Sequence, residues 1–155
     1  MQSNSALETK KIARNIAERL LDTSSKVYKG PLVIGFVGDL GSGKTFFVKT
    51  FLKFLGVKEK VSSPTFVLMR EYKLKTLNKF NKKYKRAYHI DVYRLNNAKD
   101  LKHLNFRELL KEKDVIIFIE WADKIKKLLP KNTVWIKFKH GNLENERVIE
   151  IRIVF

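Results

Sequence analysis

The chain of 155 residues contains no cysteine, which excludes disulfide staples and any thiolate-bound metal. Acids are scarce beside bases: 16 Asp and Glu stand against 33 Lys and Arg, a formal net charge of +17. Such an excess fits a phosphate-rich partner, most plausibly nucleic acid. It fits equally a lysine-rich proteome with lysines scattered singly over solvated faces, and composition leaves the two open. No apolar run approaches the ~20 residues that span a bilayer. Met1-Gln2-Ser3-Asn4-Ser5 lacks a charged segment followed by an apolar one, so no signal peptide is expected. A soluble, cytoplasmic protein is the expectation. Internal repeats and low-complexity tracts are absent too, and the length suits a single domain over residues 1–155.

What is present centres on Gly38-Asp39-Leu40-Gly41-Ser42-Gly43-Lys44-Thr45, which matches G-x-x-x-x-G-K-[ST]. An apolar run, residues 32–37, precedes it and a helix-like segment, residues 46–55, follows, so the order is strand, glycine-rich loop, helix. Gly41 and Gly43 allow backbone conformations closed to residues with a Cβ. The loop N–H groups and the helix N-terminus then cradle phosphate. Lys44 is placed to reach the β- and γ-phosphates, and the Thr45 hydroxyl to ligate Mg²⁺.

Apolar spacing predicts a first helix over residues 5–21, started by a capping box of Ser5 and Glu8, with a polar exit loop at 22–26. Gly56 ends the helix after the phosphate loop. Pro64 holds Ser63 in an extended conformation ahead of an apolar, β-branched run to Met69. From Lys73 to Arg86 the chain is basic without an acid, and Phe80 and Tyr84 are interleaved. An extended hairpin loop is the favoured reading, with nucleic-acid contact through Lys82, Lys83, Lys85 and Arg86 as the other. Residues 87–93 alternate as a strand, 98–113 read as a helix, and 115–119 as a strand buried on both faces. A short basic helix over 122–129 stops at Pro130, and residues 133–138 and 147–155 form a hairpin around Gly141-Asn142. The fold class is α/β: a P-loop NTPase-like, three-layer domain with a parallel core sheet and antiparallel strands at one side.

Hydrolysis or transfer needs an acid as well as a phosphate loop. Glu120 closes the apolar run 115–119, the position of a Walker B acid at the carboxyl edge of a parallel sheet, where ligands sit. Asp91 shares a strand face with His89 and Tyr93. Spacing alone leaves Asp91 open between a catalytic and a structural role. His89 has no second His or Cys at ligand spacing, so a structural hydrogen bond is the better reading than a metal.

The phosphate loop, Ser62-Ser63-Pro64-Thr65-Phe66, His89-Ile90-Asp91-Val92-Tyr93-Arg94 and Ile119-Glu120-Trp121, in that order, resemble the TsaE (YjeE) family over roughly residues 5 to 155. The resemblance implies a bacterial, Mg²⁺-dependent ATPase that supports N6-threonylcarbamoylation of adenosine 37 in tRNA. It implies TsaD and TsaB as partners, with ATP hydrolysis sustaining turnover of their complex. It implies catalytic roles for Lys44, Asp91 and Glu120, with Thr45 and Glu120 holding the metal. The nucleotide set is Gly41, Ser42, Gly43, Lys44, Thr45 and Phe46, with Thr65 near the γ-phosphate and Thr9 near the base. Trp121 matches the family tryptophan beside the site.

Three features depart from the family pattern. Ala122 stands where proline is usual, Asn105 replaces a usual glycine, and the loop from Tyr72 to Tyr88 is longer and more basic. Two alternatives share the phosphate loop: a small-molecule kinase, against which no arginine-rich lid is visible, and a non-hydrolytic, ATP-dependent RNA-docking switch. No N-K-x-D motif favours guanine; adenine preference rests on the resemblance.

Overall fold

The computed structural model describes residues 1–27, 30–74, 81, 83–95, 101, 104–143 and 145–153, the side chains of 23–27 excepted. Among them, seven strands make one sheet: β1 (Gln2–Ser3), β2 (Leu32–Val37), β3 (Met69–Lys73), β4 (Arg86–Asp91), β5 (Val115–Glu120), β6 (Val134–His140) and β7 (Arg147–Arg152). Their order is β1-β7-β6-β2-β5-β4-β3. β6, β2, β5 and β4 run parallel, while β7 and β1 at one edge and β3 at the other pair antiparallel. The α/β class and the parallel core are as expected. The antiparallel strands flank that core on both sides rather than one, because β3 folds back on β4 just as β7 folds back on β6.

Helices α1 (Ala6–Val27) and α2 (Lys44–Phe54) cover one face. Period two along each strand assigns its side chains: Ile34, Phe36, Ile116 and Phe118 point to the helices, and Val33, Ile117 and Ile119 to the opposite core. On the helical side Phe118 meets Phe36 at 6.3 Å and Phe51 edge-on at 5.0 Å. The opposite core is closed by the short α3 (Phe106–Leu109) and a 3₁₀ helix, Ala122–Leu128. There a Cβ on Gly35 would lie 2.9 Å from Ala122 Cβ, so the pairing of these two small residues sets how closely the 3₁₀ helix approaches β2.

Several local expectations are realised. Glu8 N–H donates to Ser5 Oγ at 3.1 Å, while the Glu8 carboxylate accepts from Asn4 N–H, one residue earlier than in a standard capping box. α2 ends in a Schellman motif: Gly56 takes φ +85°, with Val57 N–H to Leu52 O and Gly56 N–H to Lys53 O. Other boundaries move. The polar run 22–26 continues α1, since an established helix adds residues at little cost. The helix expected over 98–113 is only Phe106–Leu109 among the described residues; 98–100, 102 and 103 lie outside them. The run ending at Met69 is a turn, and the strand begins there. The expected loop residues 75–80 and Lys82 lie outside the described residues, as do Val154 and Phe155 of the last expected strand. Among the described residues no helix is long and apolar enough to cross a membrane.

Phe118 is fully buried between two rings. Phe118→Ala is expected to lower unfolding free energy by about 3–5 kcal/mol, read as a lower urea midpoint at unchanged denaturant slope.

Candidate functional site

At the carboxyl ends of β2, β4 and β5 lies a cleft of about 300 Å³, lined by phosphate-loop residues and by Ser63, Thr65, Asp91, Tyr93, Glu120 and Trp121. The loop joining β2 to α2 turns on glycines. Gly38 takes φ +144° and would place a Cβ 2.4 Å from the Phe138 carbonyl oxygen; Gly43, immediately before α2, takes φ +105°. Gly41, Gly43 and the first turn of α2 line the cleft, and a helix N-terminus in that position favours an anion.

Lys44 is almost fully buried, and its ammonium donates to the carbonyls of Gly38 and Asp39 at 2.7 Å each. It also lies 4.2 Å from the centre of the Trp121 ring. Burial pushes its pKa below the usual lysine value, with Glu120 and Asp91 pulling it back up. Thr45 Oγ1 donates to Glu120 Oε2 at 2.8 Å, and His89 Nε2 sits 2.8 Å from Glu120 Oε1. Each oxygen of the carboxylate therefore has one fixed partner. His89 is fully buried, and its Nδ1 has no hydrogen-bond partner among the described residues. The expected structural hydrogen bond of His89 is thus a bond to the site acid itself.

Asp91 stands opposite Glu120 in the β4–β5 register. It gathers the loop before β3: Thr65 Oγ1 donates to Oδ2, Ser63 Oγ lies 3.4 Å from the same oxygen, and Asp91 N–H donates to Leu68 O at 3.0 Å. Tyr93 N–H donates to Oδ1 at 2.9 Å. The loop is turned sharply: Leu68 takes φ +62°, and Met69 N–H reaches Val67 O across it. Phe66 beside it is 82% exposed, under the Arg94 guanidinium at 4.3 Å. Trp121, at φ +59°, turns the chain directly after Glu120, and Tyr93 packs on its ring.

Gly41, Gly43, Lys44, Thr45, Phe46, Thr65, Asp91 and Glu120 all line the cleft. Ser42 and Thr9 are not among its lining residues. Ser42 is buried beside Gly38, with its Oγ 3.5 Å from Lys44 Nζ. Thr9 is buried, its hydroxyl engaged by Ser3 Oγ and Ser5 O. Its neighbour Lys10 instead places an ammonium over the Phe46 ring at 5.9 Å. Ser63 and the bond from His89 to Glu120 escaped the sequence reading, although Ser63 lies within a stretch already singled out. Asn105 takes φ +48°, which explains its place where glycine is usual: asparagine is among the few residues that tolerate this region.

Of the cations expected to contact nucleic acid, Arg86, Lys85 and Lys83 have partners within the protein, Lys85 staying largely exposed, and Lys82 lies outside the described residues. Arg86 is bonded to Glu112 and lies 3.9 Å from Glu71 and 4.0 Å from Asp114; Lys85 lies 3.6 Å from Asp114. Lys83 reaches the Gly30 carbonyl at 3.4 Å. The acids come from β3 and from the segment before β5, which the linear count from 73 to 86 does not include.

A glycine loop between the central strand and a helix, with a strand-end acid bonded to the first-turn threonine, defines a protein of the P-loop nucleotide-binding class. The comparisons narrow this. The family described as threonylcarbamoyl adenosine biosynthesis protein TsaE matches residues 3–149, and the chain belongs to that family. Proteins called tRNA threonylcarbamoyladenosine biosynthesis protein TsaE are similar to it. The one from Rickettsia typhi is 34% identical over 96% of this chain and 91% of its own length. The one from Bacillus subtilis is 34% identical over 79% and 70%. The match to the Rickettsia conorii protein, 36% identical, covers 81% of this chain but 62% of that protein. The crystal structure of Bacillus subtilis YdiB superposes with a TM-score of 0.72 at 30% identity, covering all of this chain and 84% of that one.

The buried Lys44 gives a pH signature. Its pKa is lowered in the folded state and stands at 10.5 when unperturbed, so between the two the unfolded chain binds more protons. Stability should therefore rise with pH through that window. In urea unfolding the wild type is expected to gain on Lys44→Met as pH rises from 7 toward 10.5. Parallel profiles would contradict it.

Proposed function

We propose that this protein is an ATPase serving N6-threonylcarbamoylation of adenosine 37 in tRNA, acting in the cytoplasm with TsaD and TsaB. The observation that carries the hydrolytic part is the 2.8 Å bond between Thr45 and Glu120, with Lys44 and Asp91 on the same cleft. Family membership supports the tRNA part.

The ATP phosphates lie against the loop amides and the N-terminus of α2, with Lys44 supplying a positive charge to the β- and γ-phosphates. The donor set suits Mg²⁺, a hard ion that takes one or two carboxylates plus phosphate oxygens and water. Thr45 Oγ1 and Glu120 would hold it, and His89 fixes the orientation of Glu120. When bound, the ion neutralises charge on the phosphates. Asp91 orients the attacking water and takes its proton as the water oxygen bonds to the γ-phosphorus and the bond to the β–γ bridging oxygen breaks. The products are ADP and inorganic phosphate. Thr65 and Ser63, bonded to Asp91, report the γ-phosphate to the exposed turn at Phe66.

With TsaD, TsaB and tRNA present, ATP turnover should fall at least ~100-fold in Lys44→Ala, the scale of losing one transition-state donor. Equal turnover would overturn the ATPase reading. Glu120→Gln should raise the Mg²⁺ concentration needed for half-maximal turnover, and Asp91→Asn should depress turnover while leaving nucleotide affinity within a fewfold. Phosphate found on a sugar or nucleoside would point to a kinase instead.

A further inference from the structure

Among the described residues, the sheet face away from α1 and α2 is only partly covered. The core on that side is built from β2, β4, β5, α3 and the 3₁₀ helix; no residue of β7 joins it, and β6 contributes only Trp135 at its margin. Over this end lies a groove of about 770 Å³ between the 3₁₀ helix and the two strands. Its cations are Lys126, Lys131, Lys137 and Arg152. Unlike Lys85 and Arg86, none of the four has an acidic partner within 4.0 Å among the described residues. Two acids, Asp123 and Glu150, also line the groove, and Glu150 is engaged by Lys139 at 2.6 Å. Trp135 also lines the groove, opposite Arg152 across the strand pair, half-buried, its ring resting on Gly35.

We propose that this groove docks a looped or single-stranded segment of RNA, its phosphates against the four cations and one unstacked base on the Trp135 indole. Charge complementarity selects a polyanion. The fixed, partly exposed indole selects bases over an acidic peptide, which gives such a ring nothing flat to stack on. An anionic membrane would require apolar side chains that protrude, whereas Val37, Trp135 and Ile151 here line a concave groove among charged residues. The choice of RNA over DNA rests on the proposed function; the groove as a phosphodiester site does not.

The test is fluorescence anisotropy of the full chain with unmodified tRNA and with a DNA hairpin, across a salt series. Two triple charge reversals of equal total charge are compared. One is in the groove: Lys126→Glu, Lys137→Glu, Arg152→Glu. The other is on exposed positions of α1 and α2: Lys11→Glu, Arg19→Glu, Lys53→Glu. The groove variant should weaken tRNA binding ~100-fold and flatten the slope of log K against log salt by roughly 2–3, as expected for three lost phosphate contacts. The helix variant should cost less than about fivefold, and Trp135→Leu about tenfold with the salt slope unchanged, since stacking is not ionic. Thermal unfolding, independent of ATP hydrolysis, checks that each variant folds.

Equal losses in the two triple variants would reduce the effect to net charge and overturn the proposal. So would tighter capture of an acidic peptide or of phosphatidylserine vesicles than of tRNA. A DNA hairpin bound as tightly as tRNA would overturn the RNA assignment. ATP turnover intact with tRNA binding unaffected by the groove variant sinks this inference alone; turnover insensitive to Lys44→Ala with groove binding confirmed sinks the ATPase reading alone.

Discussion

The bond from Thr45 to Glu120 ties the first turn of α2 to the last residue of β5, and it exists only because the strands are in one register. Glu120 lies opposite Phe36 on one side and opposite Asp91 on the other. Since side chains alternate along a strand, a slip of one residue would send Glu120 to the wrong face. That slip is opposed by both cores together: it would exchange Phe118 with Ile117 and Ile119 and pull the phenyl ring out from between Phe36 and Phe51. The hydrophobic pattern of β5 is therefore what places the acid, and the site inherits its precision from packing some distance away.

Around that bond the molecule concentrates conformations and burials that cost stability. Leu68 and Trp121 both sit at positive φ, a cost of about 1–3 kcal/mol each for residues with side chains. Lys44 is buried, and a buried ring nitrogen of His89 goes without a partner among the described residues. Each of these residues lies next to Asp91, Glu120 or the phosphate loop. The geometry they hold is that of two carboxylates and an ammonium close together with their orientations fixed, which relaxed loops would not maintain.

What the sequence made legible was local or periodic. The phosphate loop, the run ending in Glu120, the glycine cap at Gly56 and the capping serine are each written within a few consecutive residues. The pairing of β1 with β7 is not, because a two-residue strand has no period to read. Nor is the placement of antiparallel strands on both edges, which depends on which side of β4 the segment from Met69 to Lys73 returns. In the site, Asp91 was visible as a strand-face acid, but its hold on Ser63, Thr65 and Leu68 joins residues over twenty positions apart. Thr9 shows the converse: its hydroxyl is engaged by Ser3 and Ser5, and position along a helix does not reveal that.

Charge shows the same limit most sharply. A count along 73–86 finds a run of cations, and the fold brings Glu71, Glu112 and Asp114 to two of them, Arg86 and Lys85. The four groove cations come from the 3₁₀ helix, the turn after it, β6 and β7, spread over residues 126–152 with acids and apolar residues between them. The groove and the nucleotide cleft have no lining residue in common, but two chain segments run from one to the other. β2 ends with Val37 in the groove and leads into Gly38 of the phosphate loop, while the 3₁₀ helix starts beside Trp121 in the cleft and carries Asp123 and Lys126 to the groove. A change in how Trp121 meets Lys44 would therefore act on the same short helix that supplies Lys126. Such a shared element, rather than proximity alone, is what coupling between the two sites would require.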